Sequence, residues 1–291
     1  MSVDAPKTPK SEHSASPDSI AAAFATAKRI GNSVLDDPMF HHMLRSEGVR
    51  PRDDASPAYW KLLSAFVHAK LQAHNKNHPH SLWTQVFNLR MATPDFVLAN
   101  MALKQHVKGD AREKALRTTR SFENSILELA RSHPDASAAE LEAGLDKTVA
   151  WALSPDYDYD FASKRIKDIV RRSQHVLAYG QLLGIAGREF RPARLEEQLD
   201  GTDYITTAAN GQDLYIRVAS SLEPIERQGM FDKTYSAMHN HVLAYSLALD
   251  HEFQNHFFLP EQIAKERASE TNLLLVKAEQ EQSESVLTYS H

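Results

Sequence analysis

The chain contains no cysteine among its 291 residues, and only 10 glycines. The missing thiols exclude disulfides, thiolate zinc sites and cysteine nucleophiles, and they fit an intracellular protein, which we expect to be cytoplasmic. No phosphate loop, dinucleotide-binding glycine pattern or Gly-x-Ser-x-Gly motif occurs. No apolar run approaches the roughly 18 residues that a transmembrane helix needs, so no membrane partner is expected.

Charge and hydrophobicity are ordinary for a globular protein. The formal net charge is −5, with 42% hydrophobic and 24% charged residues. An acidic chain of this kind does not bind nucleic acid over its whole surface, although a local basic face would allow it. The length is sufficient for one large domain or two small ones.

Apolar residues recur at helical spacing along most of the chain. The pattern predicts an α+β protein that is predominantly α-helical, with one small β-hairpin or sheet near residues 187–220. We predict four segments, of which the first is rich in Ser, Pro and Lys and should be disordered. They are a disordered tail (1–17), a helical domain (18–154), a part with a helix, the hairpin and C-terminal helices (155–280) and a flexible tail (281–291).

The hairpin follows from a local signal. Asn210-Gly211 lies between two runs rich in β-branched and aromatic residues, and Asn-Gly in this position is typical of a tight β-turn. The first strand is predicted over 203–208 and the second over 213–219. Asp203 then stands at the head of the first strand, and Arg217 projects from the second.

The order of elements around this hairpin resembles that of the restriction-endonuclease-like superfamily, whose motif is written PD-(D/E)xK. A long helix (162–183) and a strand-like GREF segment (187–190) precede LDGTDYI, the turn and DLYIRV. The resemblance implies that Asp203 binds Mg²⁺, that Asp213 or another acid such as Glu189 assists as a second catalytic carboxylate, and that Arg217 replaces the catalytic lysine.

One residue departs from that motif. Tyr215 stands two residues before Arg217, where the family has its second carboxylate. Asp213 shares a strand face with Tyr215 and Arg217, but it comes one pair too early. The alternative interpretation is a hairpin whose polar face carries solvated or cross-strand paired side chains.

Basic residues concentrate on the helix before the hairpin. Lys164, Lys167, Arg171 and Arg172 are candidates for nucleic-acid binding, because such a row can follow phosphates. The alternative is a solvated face paired with nearby acids such as Asp168. Asp160 is a candidate N-cap or first-turn acid of the same helix.

Histidines cluster towards the C-terminus. His251 and His256 lie in HEFQNH, which is one residue longer than the zinc motif HExxH and therefore turns the two rings apart. A transition-metal site that also uses His239 and His241 stays an open alternative.

Three functions follow from these observations. The first is a nucleic-acid-associated protein of phage or mobile-element type with a degenerate nuclease-like fold, which acts on DNA if its Mg²⁺ site is intact. The second is a helical scaffold that binds a protein partner and has no enzymatic activity. The third is a metal-dependent enzyme that uses the C-terminal histidines. The oligomeric state cannot be inferred from these patterns.

Overall fold

A computed structural model describes residues 19–50, 81–152, 158–208, 213–219, 242–246 and 255–289, with Gly211, Phe253 and several positions between 58 and 70. The helices and strands are α1 (Ile20–Val34), α2 (Pro38–Ser46), α3 (Leu82–Lys104), α4 (Gly109–Ser132), α5 (Ala138–Ala152), α6 (Tyr159–Ile185), β1 (Phe190–Pro192), α7 (Leu195–Leu199), β2 (Tyr204–Thr207), β3 (Asp213–Ala219), β4 (Val242–Ser246) and α8 (Glu261–Tyr289). This mostly helical architecture with a small sheet confirms the predicted fold class. None of the helices in these ranges combines the length and hydrophobicity required to cross a bilayer.

The chain divides into two compact units, Met1–Trp83 and Thr84–His291. The sequence places a boundary near residue 155 instead. Helices α5 and α6, on either side of that position, both belong to the second unit because they pack against each other. The predicted tail at 1–17 lies outside the described residues, whereas the predicted tail from 281 is helical as far as Tyr289.

The first unit has an apolar core of its own. Helix α2 begins at Pro38, and the side chain of Asp37 caps it by accepting a hydrogen bond from the Met39 amide at 2.8 Å. This cap satisfies one of the amides that a helix start leaves free. The buried side chains of this core are Val34, Phe40, Leu44, Tyr59 and Leu63.

Helix α6 is the centre of the second unit. It packs against α4, α5, α8 and β3, and most of its second half is buried. The carboxylate of Asp158 is its N-cap, accepting from the Phe161 amide at 3.0 Å, and Asp160 is an acid of its first turn. The favourable interaction of acids with a helix start explains both positions.

The sheet has the strand order β1-β2-β3-β4. The predicted hairpin is present as β2 and β3, which are antiparallel with Tyr204 opposite Ile216 and Thr207 opposite Asp213. β1 adds to β2, again antiparallel. β4 is parallel to β3 and was not predicted, because the sequence indicated only helices after the hairpin. A short apolar run such as VLAYS suits either structure, and pairing with a distant strand decides between them.

Candidate functional site

Asp203 occupies the predicted position, immediately before β2. Its side chain is 5% exposed. One carboxylate oxygen, Oδ2, accepts a hydrogen bond from the Val218 amide of β3 at 2.7 Å. The other, Oδ1, accepts from Nη2 of Arg172 at 2.5 Å. Both oxygens of the predicted metal ligand are therefore bound by donors of the protein itself.

Arg172 joins three parts of the second unit from its position on α6. Besides Asp203 it pairs with Glu123 of α4, with 2.8 Å between Nε and Oε1, and its Nη1 donates to the Val218 carbonyl at 2.7 Å. Arg120 completes the cluster, at 2.7 Å from the other oxygen of Glu123. We call these four side chains, two cations and two anions, the Arg172 network.

The network is electrostatically balanced. Burial lowers the pKa of Arg172, but Asp203 and Glu123 outweigh burial and raise it overall. Burial raises the pKa of Glu123, and here Arg172 and Arg120 outweigh it, so the net pKa is below its usual value. Arg172 and Glu123 are thus charged at neutral pH, and the planar guanidinium suits contacts that two carboxylates share.

Sequence reasoning missed Glu123, although a signal was available. The apolar residues Ile126, Leu127 and Ala130 follow it at i+3, i+4 and i+7, so Glu123 lies in the middle of the buried face of α4. A carboxylate in such a position needs a cationic or hydrogen-bonding partner. The identity of that partner, Arg172, is not visible in the linear sequence.

The donor set around Asp203 does not fit Mg²⁺. That ion prefers an octahedron of oxygen ligands, several of them water. Here a second carboxylate that lines the same cavity, Glu123, shares the Arg172 guanidinium with Asp203. The two carboxylates line a cavity of about 380 Å³, where Arg131 adds a further cation. A divalent ion in this cavity would be repelled by the guanidinium groups of Arg172 and Arg131.

The other two predicted catalytic residues, Asp213 and Arg217, lie on the face of β3 that is not buried. Leu214, Ile216 and Val218 are buried, whereas Asp213 is exposed and Arg217 is partly exposed. Asp203 bonds to Val218, five residues along the strand from Asp213. At about 3.3 Å per residue, roughly 16 Å separates these positions, too far for one metal ion to bind both. Asp213 and Asp203 therefore do not form the catalytic pair that the sequence suggested.

The structure separates the four predicted nucleic-acid-binding residues. Arg172 faces α4 and the sheet, so it is not part of an exposed basic surface. Lys164, Lys167 and Arg171 instead line a groove of about 890 Å³ between α5 and α6, which we call the α5–α6 groove. The same groove contains three acids, which are Glu142, Asp146 and Asp160.

The C-terminal histidine cluster lies largely outside the described residues, as His239, His241 and His251 do. His256 is exposed, and its backbone forms an isolated β-bridge with Ser137. In the described ranges, no three His, Cys, Asp or Glu side chains are grouped so that they would hold a metal ion.

His175, next to the network on α6, gives a pH-dependent stability. Burial, together with Arg171 and Arg172, lowers its pKa from 6.5 to about 4. As the pH falls, His175 is therefore protonated in the unfolded chain at a higher pH than in the folded protein. The contribution to stability is complete above pH 6.5 and is lost between pH 6.5 and 4. We expect it to be about 2 kcal/mol smaller at pH 5 than at pH 7.

Urea unfolding at the two pH values measures this effect. His175→Leu should remove about 2 kcal/mol of the difference between pH 7 and pH 5, whereas His256→Gln, at an exposed histidine, should leave it unchanged. An equal pH dependence in the wild type and His175→Leu would contradict the assignment.

Comparison with known proteins identifies no relative. No protein-family model matches the chain, and neither a curated protein nor a solved structure matches it. The function therefore has to be argued from the residues described above.

Proposed function

We propose that this protein is a non-catalytic protein-interaction module built on a nuclease-like helix and sheet. The observation that carries the proposal is the position of Arg172 between Asp203 and Glu123. A nuclease of the Mg²⁺ type needs carboxylates that converge on the metal. Here a cation of the protein neutralises them, and Tyr215 stands where the motif has a second acid. Asp203, which the motif would use as a metal ligand, then serves to hold α4, α6 and the sheet together.

A protein partner is favoured over DNA by the charge of the α5–α6 groove. Its three bases face three acids, so the groove as a whole is neutral. A polyanion that followed Lys164 and Lys167 would also approach Glu142 and Asp146, and each such contact opposes binding. Mixed charge of this kind suits a protein surface that carries both signs.

The test is retention and cleavage of fluorescent duplex and single-stranded DNA, at low and moderate salt, with and without Mg²⁺. We expect no Mg²⁺-dependent cleavage by the wild type and no retention at moderate salt. Asp203→Asn should be less stable than the wild type, because the Arg172 network loses one charge. Like the wild type, it should show no cleavage.

Cleavage by the wild type that disappears in folded Asp203→Asn would contradict the non-catalytic proposal.

The contribution of the groove to DNA retention is tested by the variant Lys164→Gln/Lys167→Gln, which removes the two exposed lysines of the groove. Its matched control, Lys147→Gln/Lys265→Gln, removes two exposed lysines that do not line it.

Nucleic-acid association without catalysis is the second candidate. It is favoured by Lys164 and Lys167, which are both exposed and three residues apart on one face of α6. If it holds, DNA is retained in a salt-dependent manner, and the Lys164→Gln/Lys167→Gln variant loses more retention than its control. That result would show that the partner bound at the groove is a nucleic acid and not a protein.

A further inference from the structure

The α5–α6 groove has two walls of opposite charge. Helix α5 contributes Glu142 and Asp146, and α6 contributes Lys164, Lys167 and Arg171 with one acid, Asp160, at its N-terminal end. The groove extends over nine residues of α5, from Ala138 to Asp146, and over fifteen of α6, from Asp160 to Gln174. At 1.5 Å per residue, its walls are about 12 Å and about 21 Å long. This length is enough for another helix to lie in it.

The two lysines of the groove, Lys164 and Lys167, are not paired with its acids among the described residues. In the described part of the chain, neither lysine forms an ion pair with Glu142, Asp146 or Asp160. Asp146 accepts a hydrogen bond from the Tyr159 hydroxyl through Oδ2, while its Oδ1 is buried with no hydrogen-bond donor among the described residues. A buried acceptor without a donor is costly, so the groove is short of a cationic or hydrogen-bonding partner.

The rim of the groove on α5 permits close approach. Ala139 and Ala143 both line the groove, both are exposed, and they are four residues apart on one face of α5. Small side chains allow two helix axes to come near the short end of the usual 8–10 Å packing distance. Glu142 lies beside these alanines and would reach across to a docked helix, while Asp146 adds negative charge to the same wall.

We propose that the α5–α6 groove is the interface between two copies of this chain. A twofold axis places the acidic wall of one copy opposite the basic wall of the other, and the reverse contact follows by symmetry. The groove is thus complementary to itself, which a wall of one sign would not be. This inference rests on the proposed function, because it names a second copy as the protein partner.

Charge reversal tests this pairing. In Glu142→Lys/Asp146→Lys both walls are basic, and in Lys164→Glu/Lys167→Glu both are acidic. Each variant should be monomeric, because like charges face each other across the twofold axis. An equal mixture of the two should form a heterodimer, because a basic wall then meets an acidic wall at both contacts.

The measurement is sedimentation velocity at low and high salt, from about 2 to about 200 µM, a range that covers weak interfaces. The wild type should change from monomer to dimer over this concentration range, and high salt should shift the monomer–dimer transition to higher concentration. Lys147→Glu, on α5 but outside the groove, should dimerise like the wild type. Glu142→Lys alone keeps the Asp146–Tyr159 hydrogen bond, so it tests the interface if the double variant does not fold.

A wild type that stays monomeric at low salt would overturn the dimer, and so would a mixture that does not associate. Neither result touches the absence of cleavage or DNA retention, on which the proposed function depends. Conversely, cleavage or salt-dependent DNA retention would overturn the proposed function without changing the sedimentation result. The two failures are therefore distinguishable.

Discussion

Arg172→Met should lower the free energy of unfolding by about 3–5 kcal/mol, the largest effect that we expect from one substitution. The change removes the shared partner of two carboxylates that are each 5% exposed or less. Removing one side of a buried ion pair leaves the other charge without compensation, and this is far more costly than losing an exposed pair. The Val218 carbonyl loses a donor as well. Urea unfolding at pH 7 measures the loss.

The same helix supplies the control. Arg165 pairs with Asp168 three residues later, and both side chains are more than a third exposed. Arg165→Met should therefore cost less than about 1 kcal/mol. Adding Asp203→Asn to Arg172→Met should restore part of the stability, because Asp203 is then neutral while Arg120 still compensates Glu123. Equal losses in Arg172→Met and Arg165→Met would show that the network is not a structural centre.

The loss in Arg172→Met should also depend on pH. In the wild type, Arg172 and Arg120 hold the pKa of Glu123 below its usual value against the effect of burial. Without Arg172 this pKa should rise, so Glu123 can take up a proton in the folded variant as the pH falls. The difference in stability between variant and wild type should shrink below neutral pH.

Gly180→Ala should destabilise the protein by about 2 kcal/mol, although alanine is the better helix former. A Cβ at this position of α6 would lie 2.5 Å from Oη and 3.0 Å from Cζ of Tyr204. That ring cannot move freely, because its buried hydroxyl donates to the Val176 carbonyl at 2.8 Å and its edge packs against Phe190. Overpacking and a strained hydrogen bond outweigh the gain in helix propensity of up to about 1 kcal/mol.

Gly184, one turn later on the same helix, is the matched control. The nearest atom to its added Cβ is 4.0 Å away, an ordinary contact. Gly184→Ala should therefore be neutral or stabilising by up to about 1 kcal/mol, so the two variants should differ by about 2–3 kcal/mol. Tyr204→Phe should recover part of the loss in Gly180→Ala, because it removes the nearest atom. Thermal or urea unfolding checks all three, and equal effects of the two alanines would refute the proposed close approach.

Features that depend on neighbouring residues were predicted well. Helix α6 was expected over 162–183 and spans Tyr159–Ile185, because its apolar residues recur with the helical period. The β2–β3 hairpin follows from Asn-Gly and alternation, both local signals. In contrast, β4 pairs in parallel with β3 across more than 20 residues, and no local pattern distinguishes such a strand from a buried helix segment.

The candidate site shows the same limit at the level of single residues. Asp203 and Arg172 were both singled out from the sequence, one for a metal and one for phosphates. They are 31 residues apart in the chain and bind each other instead. Glu123, which also pairs with Arg172, comes from a third element, α4. A carboxylate that faces a guanidinium and one that faces water look alike in a sequence, although their chemistry differs.

The sequence by itself determined the helical character of this protein, the hairpin, the position of Asp203 at a strand entry and the absence of any cysteine chemistry. These are consequences of composition, periodicity and turn residues, which act over a few positions. Only the tertiary structure decided that Arg172 faces Asp203 and Glu123, while Lys164 and Lys167 face the acids of α5. The reason is that burial and charge pairing depend on which elements pack together, and the packing around α6 brings together residues that are far apart in the chain.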